Sequence, residues 1–295
     1  MGVTKIEWTD AVWQPVTGCT PVSEGCRNCY ARRMAMRLRG RYGYPEADPF
    51  AVTTHPDRLD EPFHWRKPRA VFVCSMGDLF HKDVPGEFIS DVLSIIERNQ
   101  QHTFIILTKR PGRFFVLYNK ATRYFCGGGD YLPNVILGVS VENQKTADER
   151  IPILLKTPAA KRIVSYEPAL EPVDFMAYLP LARSDIRGLV YNPRGGPFLD
   201  GVIMGGESGP GARPMHPAWA RSVRDQCEAA EVPFFFKQWG LGVGRGLGNH
   251  GDIYRELKDA GFDEYKKKGG RLLDGRTHDD LCWHTGGEDA AQKHT

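Results

Sequence analysis

No stretch of this chain stays apolar for anything near the roughly 20 residues that a membrane-spanning helix needs, so no membrane partner is expected. The opening MGVTKIEWTD has no apolar core of the secretory kind, which points to the cytoplasm. Neither sign of charge dominates: the formal net charge is +3, which permits a nucleic-acid partner without demanding one. A disulfide framework is also missing. The chain has seven cysteines, and an odd number in a reducing compartment argues for metal or reactive-thiol chemistry. No internal repeat is evident beyond an alternation of strand-like and helix-like segments.

That alternation carries the fold. Short apolar, β-rich runs stand at Ala70–Cys74, Thr103–Leu107, Asn134–Val139, Arg162–Ser165, Gly201–Met204 and Pro233–Phe236. Continuous apolar runs of this length suit strands buried on both faces, as in parallel sheets. Between them, Gly86–Asn99, Val141–Leu155 and Pro217–Ala230 read as helices. The expected class is α/β with mainly parallel strands, a barrel or a doubly wound sheet. Residues 1–240 read as the βα body, with 37–60 as an insertion or lid. Residues 241–295 read as a polar C-terminal extension.

Each run ends in polar residues. They include Asp78, Lys109 and Arg110, Ser140 and Glu142, Glu167, Gly205-Gly206-Glu207, and Lys237. Parallel α/β folds build their sites on the loops at the strand C-termini, so these clusters are expected to share one mouth. Strands that simply end in polar turns are the plainer alternative.

The sharpest motif is Cys19-Thr-Pro-Val-Ser-Glu-Gly-Cys26-Arg-Asn-Cys29-Tyr30, a C-x6-C-x2-C spacing in a loop with Gly and Pro. A structural zinc site normally takes four protein ligands, and no second CxxC or HxxxH pair lies nearby. Three thiolates would instead hold a [4Fe–4S] cluster with one iron free of protein. In radical S-adenosylmethionine (SAM) enzymes that open iron is where SAM chelates. Their usual spacing is C-x3-C-x2-C, so the first gap here is longer. Zinc, or cysteines without a metal role, is the competing reading.

The segments Ile6–Asp10, the cysteine loop, Ser75–His81, Leu107–Pro111, Gly138–Glu142, Met204–Met215 and Phe235–Gly240 stand in order. Over roughly residues 4–276 they resemble a phage- and bacteria-associated family of unknown function, named after mycobacteriophage gene products and grouped with radical SAM proteins. The resemblance implies a partial or near-complete (βα) barrel of radical SAM type, a [4Fe–4S] cluster on Cys19, Cys26 and Cys29, and SAM as cofactor. It also implies an electron donor such as flavodoxin or ferredoxin. In radical SAM proteins a Gly-Gly-Glu element after the second strand holds the SAM amino group. Here that position reads Ser75-Met76-Gly77-Asp78, so Asp78 would offer the carboxylate, or else cap the following turn. Ser140 and Glu142 fall where such proteins contact the SAM ribose. Tyr30 would pack beside cluster or adenine, or in the core. Gly205, Gly206 and Glu207 would let backbone approach a ligand, or form a structural turn.

Lys109, Arg110, Arg213 and Lys237 are the natural partners of the strand-end carboxylates and candidates for substrate contact. Arg32 and Arg33, in the arginine run after the cluster loop, are the others. On a helix Arg32, Arg33 and Arg37 lie within a turn of one another, with Met34 and Leu38 on a strip that can face the core. A nucleic acid or nucleotide is the expected substrate; a solvated helix face is the bland reading of the arginines. Two rival functions remain. One is a non-catalytic nucleic-acid-binding protein with a structural metal; the other is a radical SAM enzyme acting on a small metabolite or a protein. Cys126 is the candidate accessory thiol.

Overall fold

The structure is a computed structural model that describes residues 4, 6–125, 130–180, 197–240, 251–263 and 266–283; Cys126 lies outside them. Its centre is a sheet of seven parallel strands that follow one another in chain order. They are β1 (Ala11–Trp13), β2 (Ala70–Val73), β3 (Thr103–Thr108), β4 (Val135–Val141), β5 (Lys161–Tyr166), β6 (Gly201–Gly205) and β7 (Phe234–Gln238). The first and last strands do not pair, so the sheet curls into a half-barrel rather than a closed one. All six apolar runs became strands. β1 escaped notice because three residues between polar flanks carry too little pattern to read.

The helices are α1 (Tyr30–Arg37), α2 (Gly86–Glu97), α3 (Pro111–Phe125), α4 (Gln144–Lys156), α5 (Pro217–Ala229) and α6 (Gly251–Asp259). α2 buries Phe88, Ile89, Val92, Leu93 and Ile96, a 3.6-period stripe. α3 opens on Pro111, where a missing N–H costs nothing, and it buries Phe114, Tyr118 and Ala121. It was not expected as a helix, because the exposed Val116 and Tyr124 blur its stripe. α4 starts from a capping box: Asn143 accepts from the Thr146 amide at 3.0 Å, and Thr146 Oγ1 accepts from the Asn143 amide at 3.2 Å. Among the described residues no helix is long and apolar enough to cross a membrane.

Strand alternation divides the apolar residues into two cores. One face of the sheet packs against the helices through Val71, Val73, Phe104, Ile106, Leu137 and Val139. The concave face holds Ala70, Ile105, Ile136, Ile163, Ile203 and Phe235. Trp8 and Leu281 join this inner cluster. The segment carrying Leu281 runs beside β7, where the Phe236 amide donates to the His278 carbonyl at 2.9 Å. Within the stretch that reads as a polar extension, Leu257, Ala260, Phe262 and Leu273 are buried in the main core. Their apolar positions are scattered among charges, so the stretch looks polar until it is folded. The lower half of the half-barrel is thus filled with apolar side chains, and its polar positions lie toward the strand C-termini.

Candidate functional site

The cysteine loop leaves the C-terminal end of β1 and is fastened on both sides. Gln14 Oε1 accepts from the Met76 amide at 3.2 Å, and the Gly18 amide donates to the Met76 carbonyl at 3.0 Å. Val16–Thr17 pairs with Thr53–Thr54 in a short antiparallel ribbon, and Thr17 Oγ1 meets His55 Nε2 at 2.8 Å. Gly18 has φ +82°, and a Cβ there would sit 2.1 Å from the Ala51 carbonyl oxygen. The Cys19 amide donates to the Phe50 carbonyl at 3.2 Å. Residues 50–55 of the expected insertion therefore pack against the loop that carries the first cysteine. Cys26 closes a 3₁₀ turn, Glu24–Cys26, and Cys29 immediately precedes α1.

Four buried or half-buried carboxylates meet four cations at the strand ends. Arg110 Nη1 lies 3.2 Å from Asp78 Oδ2, and Lys109 Nζ lies 2.8 Å from Glu142 Oε1. Lys237 Nζ lies 2.7 Å from Glu167 Oε2, and Arg213 Nη2 lies 2.7 Å from Glu207 Oε1. Glu142 has a second cation in Arg150 of α4, whose Nη1 is 2.7 Å from Oε2. Burial works to raise the Glu142 carboxyl, but Lys109 and Arg150 outweigh it and hold it below the ordinary value. For Glu167 burial is likewise outweighed, by Lys237 and the Gln238 amide. For Glu207 it is outweighed by hydrogen bonds from Arg213 and Asn28.

Three of these pairs, those of Asp78, Glu142 and Glu207, grip the cysteine loop. Ser23 Oγ donates to Glu142 Oε1. Gly25 lies so close over the pair that a Cβ would be 2.6 Å from Glu142 Oε1 and 2.8 Å from Lys109 Nζ. Asn28 Nδ2 donates to Glu207 Oε2 at 2.9 Å and to the Gly211 carbonyl at 2.8 Å. Arg213 Nη2 also reaches the Glu24 carbonyl at 2.9 Å. Loop and strand ends thus form one charge-assisted network.

All three cysteines of the motif are free and half-buried. Arg110 Nη1 donates to Cys19 Sγ at 3.4 Å and, through Nη2, to the Thr20 carbonyl at 2.8 Å. Thr20 Oγ1 in turn meets the buried His81 Nε2 at 2.7 Å. Burial, with Asp78 beside it, pushes the Cys19 thiol up to about 11 despite Arg110. For Cys26 burial also acts upward, but Lys109 and hydrogen bonds from the Val22 and Ser23 backbone bring the thiol below its ordinary 9.0. Among the described residues no three His, Cys, Asp or Glu side chains stand close enough to form a ready-made ion site. The donor chemistry nonetheless fits an iron–sulfur cluster: three accessible thiols in one loop, with a cation beside each of two.

The remaining predicted residues fall as follows. Asp78 is fully engaged. It accepts from Thr108 Oγ1 at 2.8 and 3.0 Å, from the Phe80 amide at 3.0 Å and from the Lys109 amide at 3.3 Å, besides Arg110. Ser140 shares a register position with Ser165, on the concave face. Tyr30 is 46% exposed, and its hydroxyl donates to the Ser75 carbonyl at the end of β2. The close approach that Gly206 permits is filled by this chain, since a Cβ there would lie 1.8 Å from the Trp239 carbonyl oxygen. Gly205 packs against Gln238 and Glu167. Arg33 turns to the glycine-rich turn and donates to the Ser208 carbonyl at 2.7 Å, whereas Arg32 is exposed. The expected core strip of α1 is different: Ala31 and Ala35 are buried, while Met34 is 40% exposed.

Arg150, Ser23, Gly25 and Asn28 were missed. For Arg150 a signal existed, since it lies on the apolar stripe of α4 with Ala147, Ile151 and Leu154. A charged residue on a buried stripe needs a buried partner.

Fold and site together define an α/β protein on a parallel half-barrel with a three-cysteine loop at its mouth. The chain belongs to the family described as "Protein of unknown function (DUF5131)", whose model matches residues 3–282. Among solved structures it is similar to spore photoproduct lyase complexed with dinucleoside spore photoproduct. The identity is 10% and the TM-score 0.39, over 74% of this chain and 60% of that one. A mutant of spore photoproduct lyase gives 11% identity and a TM-score of 0.41, over 78% of this chain and 64% of that one. The chain thus spans less than two thirds of the length of either. Among curated proteins none matches it in sequence.

Proposed function

We propose that this protein is a radical SAM enzyme, with Cys19, Cys26 and Cys29 as the ligands of a [4Fe–4S] cluster. The observation that carries the reading is the three-cysteine loop leaving β1 directly into the mouth of a parallel half-barrel, held there by the ends of four other strands. Bound on these thiols, such a cluster supplies the electron that splits SAM into methionine and a 5′-deoxyadenosyl radical able to take hydrogen from a substrate. The chain's own work is placement. Arg110 holds Cys19 and is itself held by Asp78, so Asp78 could bind a SAM ammonium only by exchanging it for that guanidinium. Lys109 favours the Cys26 thiolate, and Glu142 keeps Lys109 in place. Ser140 and Ser165 offer hydroxyls to the lumen. Glu167 with Lys237, beside Tyr30, provides a charged pair that can orient a polar substrate. The packed lower lumen excludes water from beneath. A flavodoxin or ferredoxin is the proposed electron donor, and a nucleic acid or nucleotide the proposed substrate.

The test is anaerobic reconstitution with iron and sulfide, followed by dithionite and SAM, with 5′-deoxyadenosine assayed. About four irons per chain and nucleoside release are expected. Cys19→Ala, Cys26→Ala and Cys29→Ala should each abolish both. Stoichiometric zinc after iron-replete purification, with no SAM cleavage, overturns the reading.

A further inference from the structure

We infer that the outer side of α1 and the turn after it form a docking track for a single-stranded nucleic acid, leading it to the mouth. The binding itself stands on α1; that the bound strand is the substrate rests on the radical SAM reading above. From Arg27 to Pro45 the chain has six arginines and no acidic residue. Arg33 is engaged by the Ser208 carbonyl. Arg27, Arg32, Arg37, Arg39 and Arg41 are exposed, and among the described residues none forms an ion pair. Arg39 and Arg41 donate to the Glu46 and Arg37 carbonyls, which leaves most of the five N–H donors of each guanidinium free. This differs from every cation at the strand ends, each of which has a carboxylate. Like charges gathered in one short stretch repel one another, and a phosphodiester chain supplies counter-charge repeated along its length.

A second observation separates nucleic acid from polyanions at large. Among the arginines stand Tyr30, Met34, Met36 and Tyr42, exposed to 46, 40, 38 and 74%. Water-exposed rings and thioethers between cations form a surface for bases as well as phosphates. Stacking of this kind requires bases free of a duplex, and a paired base could not bring its atoms into the lumen. The track also ends where it should. Tyr30 is bonded to the end of β2, and Arg33 to the turn after β6.

The test uses the anaerobically purified full chain and fluorescence anisotropy with a labelled oligo(dT), its RNA counterpart and the matching duplex, from low to moderate salt. Both single strands should bind, and more tightly than the duplex. The combined Arg32→Gln, Arg37→Gln, Arg39→Gln and Arg41→Gln protein should lose about 0.7 from the log–log salt slope for each arginine that had met a phosphate. The corresponding Arg→Lys protein should keep the slope, which separates lost charge from lost structure. Tyr42→Ala should weaken binding about tenfold at an unchanged slope, and Lys120→Gln on α3 should alter neither. Iron content should match wild type in all of them. No binding at low salt, or a slope indifferent to the arginine changes, overturns the inference; duplex bound as tightly as single strand overturns the choice of strand. Strand binding through α1 in a protein that cleaves no SAM would sink the radical SAM reading and leave this one standing. SAM cleavage without strand binding would do the reverse.

Discussion

The strand ends and the outer face of α1 hold the same kinds of charge in opposite ways. At the strand ends Asp78, Glu142, Glu167 and Glu207 each have a cation within 3.2 Å, and three of the four are almost wholly buried. On α1 and its turn Arg32, Arg37, Arg39 and Arg41 face solvent, and among the described residues none has a carboxylate partner. Buried charge must be neutralised where it stands, because desolvation is costly and removing one partner leaves the other exposed to that cost. Exposed charge has no such need and stays available for a ligand. The difference separates a region built to hold the cysteine loop still from one free to meet something from outside.

The largest effect that would break this contrast is at Glu142. Replacing it with Ala strands Lys109 and Arg150 and should cost about 3–5 kcal/mol in denaturant unfolding. A loss no larger than that of a surface substitution would show that the network is not what holds the loop. Gly206→Ala comes next: the new Cβ meets the Trp239 backbone, which cannot swing aside, so about 1–3 kcal/mol should be lost. Gly112→Ala, with nothing within 4 Å, is the control and should be neutral or slightly stabilising.

Acid sharpens the comparison. Glu142, Glu167 and Glu207 have folded-state values below their unfolded ones. Their contribution is complete above the ordinary carboxylate value of 4.5 and is lost as pH falls below it. Unfolding free energy against pH should drop in that range, and Glu167→Gln should flatten the drop; an unchanged profile would remove Glu167 from the network. In metal-free protein, iodoacetamide near neutral pH should modify Cys26 before Cys19, since Lys109 favours one thiolate and burial opposes the other. Peptide mass mapping showing the reverse order would contradict the placement of Lys109. The smallest effect is on α1: Arg37→Gln should change stability by no more than about 0.5 kcal/mol. A larger loss would mean that this arginine is structural after all.

Much of the fold was legible beforehand. Six strands could be read because their apolar runs, buried on both faces, look the same in any context. β1 and α3 could not, the one too short and the other patterned too weakly. The cysteine motif was legible because its three cysteines are neighbours along the chain. The residues that tie it down were only partly so. Asp78, Lys109, Arg110, Glu142 and Arg213 were candidates by position, and Arg150 was marked only by its place on an apolar helix stripe, while Gly25 and Asn28 gave no local sign of a role. Met34 was expected inward and lies outward, with Ala31 and Ala35 on the buried face of α1 instead.

By itself the sequence determined the features that depend on neighbours along the chain. These are the strand and helix rhythm, the three-thiol spacing and the concentration of arginine after it, all of which arise within a few residues of one another. Tertiary structure alone decided which charge meets which. Glu167 and Lys237 are 70 positions apart and Asn28 and Glu207 179 apart, and no local pattern links them. Only the closing of the half-barrel, which brings successive strand ends to one mouth, makes them neighbours. It also leaves Arg33 engaged and Arg32 exposed to solvent, two adjacent residues whose sequence context is nearly the same and whose surroundings in the folded chain are not.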